Sequence, residues 1–167
     1  SLNGANRLGS NSLVELLVFG KSAALSAIEH LRGVPAANMA ALEARANESR
    51  ARIRELFSRT DGTESMSGLR KEMMDTMEKN VGIYRTEAGL KEAVDKITEL
   101  RQRYRHVILN DKSNVFNTDL FQVLELGCML DCASALTVGA LARKESRGAH
   151  QRLDYTERDD DKYLRHS

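Results

Sequence analysis

Apolar positions recur at steps of three and four along most of the chain, the spacing of α-helices that bury one face. Leu13, Leu16, Leu17, Phe19, Ala23, Ala24, Ala27, Ile28 and Leu31 predict a first helix from Ser12 to about Arg32, stopped by Gly33 and Pro35. Val14 and Val18 fill its other faces, so this helix is apolar nearly all round and calls for cover on more than one side. Met39, Leu42, Ala46, Ser49, Ile53 and Leu56 predict a second, amphipathic helix from about Ala36 to Arg59. Asp61-Gly62-Thr63 is a turn, and Thr63 or Ser65 caps a third helix whose seam is Met66, Leu69, Met73, Met77 and Val81. A methionine stripe at that spacing reads as adaptable core packing.

A fourth helix begins near Thr86, carries Glu87 in its first turn and buries Leu90, Val94, Ile97, Leu100 and Tyr104 as the antiparallel partner of the third. Asn117 or Thr118 caps a fifth, from Asp119 to about Lys144, apolar on most faces between Leu120 and Leu141 and therefore expected to be central and best buried. Cys128 and Cys132 share one face of it at i, i+4 and are expected in the core as small apolar side chains. Beyond Gly148 the chain turns polar, and Glu157-Arg158-Asp159-Asp160-Asp161-Lys162 has no apolar stripe, so a solvated or partner-docked tail is expected there. The predicted fold class is mainly α: an antiparallel bundle of four to five helices with an N-terminal Gly-containing loop and an irregular polar C-terminal tail.

Composition narrows the choice of partners. The 167 residues are one domain's worth of chain, and 41% apolar with 29% charged residues suffices for a core. Twenty-five Lys and Arg against twenty-four Asp and Glu leave a formal charge of +1, so no global field attracts nucleic acid or an acidic membrane. Any anion site must be local. A single proline, no tryptophan and 5% aromatics argue against a β-sandwich. The two cysteines suit a reduced interior, no secretory leader opens the sequence, and no apolar stretch reaches the ~18 residues needed to span a bilayer. Ser1-Leu2-Asn3-Gly4-Ala5-Asn6 reads as the middle of a loop, so a piece of a longer chain is expected.

The chemistry concentrates in Asn3-Gly4-Ala5-Asn6-Arg7-Leu8-Gly9-Ser10-Asn11-Ser12-Leu13-Val14-Glu15. Its glycines let the backbone turn and approach a ligand, and Ser12-x-x-Glu15 is a capping box that opens the first helix. A helix start offers free N–H groups and partial positive charge, and Arg7 adds a planar fork matched to a carboxylate or phosphate. A plain capped helix with a solvated Arg7 satisfies the same spacing. Glu145, Arg147, His150, Arg152 and Asp154 form no recognised metal spacing and read as a structural turn, while His30 and His106 read as solvated groups near helix C-termini.

Asn3 to Leu13, together with Arg143-Lys144-Glu145-Ser146-Arg147-Gly148-Ala149-His150-Gln151-Arg152-Leu153-Asp154, Arg158-Asp159-Asp160 and the intervening Phe116-Asn117-Thr118-Asp119-Leu120, resembles the C-terminal part of the succinate dehydrogenase/fumarate reductase flavoprotein subunit from end to end. L-aspartate oxidase has similar versions of both long motifs, but the Arg158-Asp159-Asp160 continuation is closer to the respiratory enzymes.

The resemblance implies that Arg7 binds a carboxylate of the dicarboxylate substrate, succinate or fumarate, and that Ser12 and Leu13 contact FAD at the helix start. It implies a flavoprotein oxidoreductase exchanging electrons through an iron-sulfur subunit with a membrane quinone. Such a protein lies on the cytoplasmic face of the inner membrane, peripherally, through that subunit and membrane anchor subunits. Residues 1–33 would be the remnant of the FAD-binding domain, 34–148 the helical domain and 149–167 an irregular tail. Asn3 stands where many members carry histidine, so an imidazole contact there is not carried over. The dinucleotide-binding G-x-G-x-x-G unit, the histidine that carries flavin covalently in many members and the proton-delivering arginine all belong to a preceding N-terminal domain. No catalytic residue or metal ligand is therefore assigned in this chain, and by itself it is expected neither to retain FAD nor to turn over. Two other readings remain: a stand-alone helical module binding another protein through its first helix and charged tail, or the same flavin chemistry on L-aspartate.

Overall fold

The computed structural model describes residues 9 and 11–165. Five long helices follow one another: α1 (Asn11–Leu31), α2 (Met39–Ser58), α3 (Met66–Val81), α4 (Glu87–Arg103) and α5 (Thr118–Ala142). A 3-10 turn (Tyr104–His106), a one-turn α6 (Asp160–Tyr163) and two short strands, β1 (Tyr84–Arg85) and β2 (Gln151–Arg152), complete the described elements. The mainly helical class and every predicted long helix are found.

The chain divides into two compact units, Ser1–Ala51 and Arg52–Ser167, and α2 contributes to both. In the first unit no described residue of α1 is buried, and Leu13, Leu17 and Leu31 are each at least 70% exposed. The α2 seam is likewise exposed at Met39 and Leu42 and becomes buried only at Leu56, inside the second unit.

The core of the second unit is built by α3, α4 and α5. Leu69 and Met73 from α3, Ile97 and Leu100 from α4, and Val123, Leu126 and Leu130 from α5 pack with Leu56, Val107 and Leu109. Met66 and Met77 lie against this cluster, as the seam of the third helix predicts. A smaller cluster joins Val81, Leu90, Ala93 and Ala140.

Helix starts are fixed by side chains. Ser65, Thr86 and Asn117 are the N-caps of α3, α4 and α5, accepting hydrogen bonds from the N–H groups of Gly68, Gly89 and Leu120. The turn before α3 is fastened by the His106 carbonyl, which accepts from Thr63 N and Glu64 N. A side chain at Gly62 would place its Cβ 2.7 Å from that carbonyl, so glycine is required there.

Three expectations about α5 are corrected. Both cysteines are exposed, because the buried stripe of α5 runs through Leu126, Leu130, Ala133 and Thr137, and Cys128 and Cys132 lie off it. α5 is packed by α3 and α4 on one side only, leaving Phe121, Leu136 and Val138 exposed, so its apolar composition does not translate into burial all round. By length and composition this helix, Thr118–Ala142, is also long and apolar enough to cross a membrane, contrary to the reading that no stretch is; core helices share that property, and 39% of its most apolar window is buried.

The segment after Gly148 is polar and largely irregular, but it is not a solvated tail. His150 and Arg152 are buried, and β2 pairs in parallel with β1, Tyr84 opposite Gln151 and Arg85 opposite Arg152. The reason is electrostatic: this segment carries hydrogen-bonding groups for the end of α5 and the start of α4.

Candidate functional site

Of the predicted ligand-binding residues, Arg7 lies outside the described residues, as does Asn3. Gly9 sits in an exposed turn, and a Cβ there would meet nothing within 4 Å. Asn11 opens α1, which places Ser12, half-buried, and Leu13, exposed, in the first turn. No acidic side chain stands in that turn, so the positive end of a 21-residue helix is uncompensated by its own first residues. A flavin ring, which gathers negative charge on reduction, fits that position chemically.

The second group of charged residues singled out in the sequence is brought together at one corner of the bundle. Arg85, between α3 and α4, donates from Nε to the Val81 and Gly82 carbonyls at 3.1 and 3.0 Å, satisfying the C-terminal end of α3. Arg152 does the same for α5, donating from Nη1 to the Ala140 and Arg143 carbonyls. Asp154 serves the opposite pole: its Oδ2 accepts from Glu87 N at 2.6 Å, at the N-terminus of α4. Cations meet two helix C-termini and an anion meets a helix N-terminus, and Arg152 and Asp154 hold each other through two bonds of 2.7 and 2.9 Å.

Glu145, fully buried, anchors the outer layer. It accepts from Arg147 Nε at 2.9 Å, from Asp159 N at 2.8 Å and from Arg143 Nη1. Its carboxyl is held down to about 2, chiefly by the hydrogen bond from Arg147 and against the effect of burial. Asp154 is likewise held at about 2, chiefly by Arg152. The buried polar side-chain atoms all have partners among the described residues, so the corner is fully satisfied.

These contacts make the Glu145-to-Asp154 cluster a structural device, in keeping with the turn read from its spacing, and no cluster of three or more metal-ligating side chains is found among the described residues. Arg85 was not singled out in the sequence. Its signal was faint: a lone arginine in a short break between two amphipathic helices. His30 and His106 are exposed, as expected of groups near helix ends.

The sequence pattern of the family described as fumarate reductase flavoprotein C-term matches residues 70–167. The chain is 49% identical over 166 residues to the fumarate reductase flavoprotein subunit of Haemophilus influenzae, covering 99% of this chain and 28% of the relative. It is 41% identical over 167 residues to the succinate dehydrogenase flavoprotein subunit of Rickettsia bellii, again covering 28% of that protein. A solved Escherichia coli quinol fumarate reductase superposes over 96% of this chain and 28% of its own, with a TM-score of 0.89 and 48% identity. The apo Sdh1 complex of Mycobacterium smegmatis gives a TM-score of 0.82 at 36% identity, over 93% of this chain and 26% of its own. The chain thus spans little more than a quarter of the length of the relatives it matches. Sequence and fold agree, and the chain belongs to the fumarate reductase flavoprotein C-terminal family.

Proposed function

We propose that this chain is the C-terminal part of a flavoprotein subunit that interconverts succinate and fumarate. The observation that carries the reading is the similarity to fumarate reductase flavoprotein subunits over 99% of the chain, which includes the loop before α1 as well as the helical bundle. Residues 1–33 belong to the FAD-binding part, 34–148 to the helical domain and 149–167 to the segment that follows it. FAD, when bound by the complete subunit, supplies the hydride acceptor and donor. Arg7 grips one substrate carboxylate and fixes the dicarboxylate's orientation, and Ser12 and Leu13 hold the flavin edge at the positive end of α1. Electrons leave through an iron-sulfur subunit to a membrane quinone, with the assembly held peripherally on the cytoplasmic face of the inner membrane by anchor subunits.

Arg7→Gln in the complete subunit tests the substrate role. Loss of charge-assisted hydrogen bonds worth ~1.5–3 kcal/mol lowers kcat/KM for succinate about 10- to 100-fold, with FAD content unchanged. Unaltered turnover of succinate would remove Arg7 from the site. The 167-residue chain alone is expected to be colourless and inactive in succinate-dependent dye reduction. A yellow, active preparation would overturn the assignment of the cofactor fold to the rest of the subunit.

A further inference from the structure

Apart from the charged corner, the second unit holds a cleft of about 540 Å³ between residues 52–59 at the end of α2, the end of α4 and the middle of α5. That volume is in the range of small-molecule sites. Its charge is lopsided: four arginines, Arg52, Arg59, Arg101 and Arg105, line it against two carboxylates, Glu55 and Asp131. Both carboxylates are already engaged. Glu55 pairs with Arg59 at 2.9 Å, and Asp131 accepts from Arg101 Nε and Nη2 at 3.1 and 2.8 Å.

Two guanidinium groups are therefore left over. Arg105 has no hydrogen-bond or ion-pair partner among the described residues, and Arg52 has only the Tyr104 hydroxyl beside it. Tyr104 forms part of the wall, with its hydroxyl donating to the Val123 carbonyl at 2.8 Å and its ring seated against Gly127. Burial raises this phenol above its ordinary range, so it stays neutral and adds no competing negative charge. In a chain whose net charge is +1, two arginines without a carboxylate partner lining one concavity are a local concentration of positive charge.

We propose that this cleft binds a small polyanion bearing two or more phosphate or carboxylate groups, with Arg52 and Arg105 supplying the unmatched charge. None of its residues is among Arg7, Ser12 and Leu13, and it requires no flavin.

Isothermal titration of the 167-residue chain with pyrophosphate and, separately, with citrate at constant ionic strength tests it. One saturable site is expected, weakened at least tenfold in Arg52→Gln and in Arg105→Gln and unchanged in Lys71→Gln, a surface cation paired with Asp75 elsewhere. Tighter pyrophosphate identifies a phosphate-bearing ligand, and tighter citrate a polycarboxylate. As a measurement independent of variant folding, pyrophosphate should slow phenylglyoxal labelling of Arg52 and Arg105 in the unsubstituted chain, but not of Arg45. Absence of saturable binding by either anion, or equal affinity in all variants, would overturn the proposal.

Discussion

Arg85 donates from Nη1 to His150 Nδ1 at 2.8 Å, while His150 Nε2 lies 3.0 Å from the Arg143 carbonyl. A guanidinium has no acceptor to offer, so Nδ1 must carry the lone pair and Nε2 the proton. His150 is a neutral imidazole set among three arginines. Burial, and then the charges of Arg85, Arg152 and Arg143, push it below its ordinary range, against the pull of the Arg143 carbonyl.

That relationship has a pH signature. Below about pH 6.5 the unfolded chain takes up a proton at this histidine before the folded chain does, so stability must fall as pH drops through that value and level off once both states are protonated. The contribution is fully present above the unfolded value. Glu145 and Asp154, both near 2, act in a separate window between about 4.5 and 2. Urea midpoints between pH 7.5 and 5 should therefore decline in the parent chain and flatten in His150→Gln. Parallel slopes in the two proteins would rule out His150 as the source.

Arg152 carries more bonds than any substitute can replace. Its side chain is inaccessible to solvent and meets Asp154 twice and two carbonyls at the end of α5. Arg152→Met should cost about 3 kcal/mol, the loss typical of stripping one partner from a buried pair. Arg152→Lys should recover only part of that, since an ammonium cannot reproduce the planar fork. Equal urea midpoints for the lysine variant and the parent would count against the bidentate geometry.

Gly127 is held small by Tyr104. A Cβ on Gly127 would come 2.8 Å from the tyrosine oxygen and 2.9 Å from Cζ. Gly127→Ala should therefore destabilise by about 1–3 kcal/mol through overpacking, although alanine gains about 1 kcal/mol in helix propensity. Combining it with Tyr104→Leu should cost less than the sum of the two single changes. Strict additivity in thermal melts would mean that the ring moves aside freely.

The thiols of Cys128 and Cys132 face outward from α5. Ellman's reagent should titrate two thiols in the folded 167-residue chain without denaturant, one in Cys128→Ser and one in Cys132→Ser. A reaction that requires urea would place them in a buried environment instead.

The helices were legible because the chain writes them twice, once in apolar spacing and once in caps such as Ser65, Thr86 and Asn117. The side on which α5 is packed was not legible, because apolar residues occupy nearly all its faces and give the period no contrast, which is why its cysteines were misassigned. The start of α1 was legible from Ser12-x-x-Glu15 only to within a residue or two, since the helix opens at Asn11 with Ser12 inside its first turn, whereas the ligands of Arg7, Ser12 and Leu13 came from family resemblance alone. The corner was hidden because Arg85 and His150 are 65 residues apart and polar residues announce no period. A charged stretch looks solvated until the helix ends that it serves are known.

The parallel pairing of β1 with β2 bears on how the polypeptide is made. α3 is complete at Val81, but the imidazole that accepts from Arg85 and the carboxylate that accepts from Glu87 N belong to His150 and Asp154. During synthesis Arg85 and Thr86 can serve the ends of α3 and α4 locally, but Glu87 N must stay bonded to water until Asp154 has cleared the ribosome. Closing so long a loop is entropically unfavourable, so the corner forms after α4 and α5 have already docked. Nascent chains stalled short of residue 150 would therefore carry packed helices with an open, protease-sensitive turn at Gly82 to Thr86, and release of the following few residues would shut it.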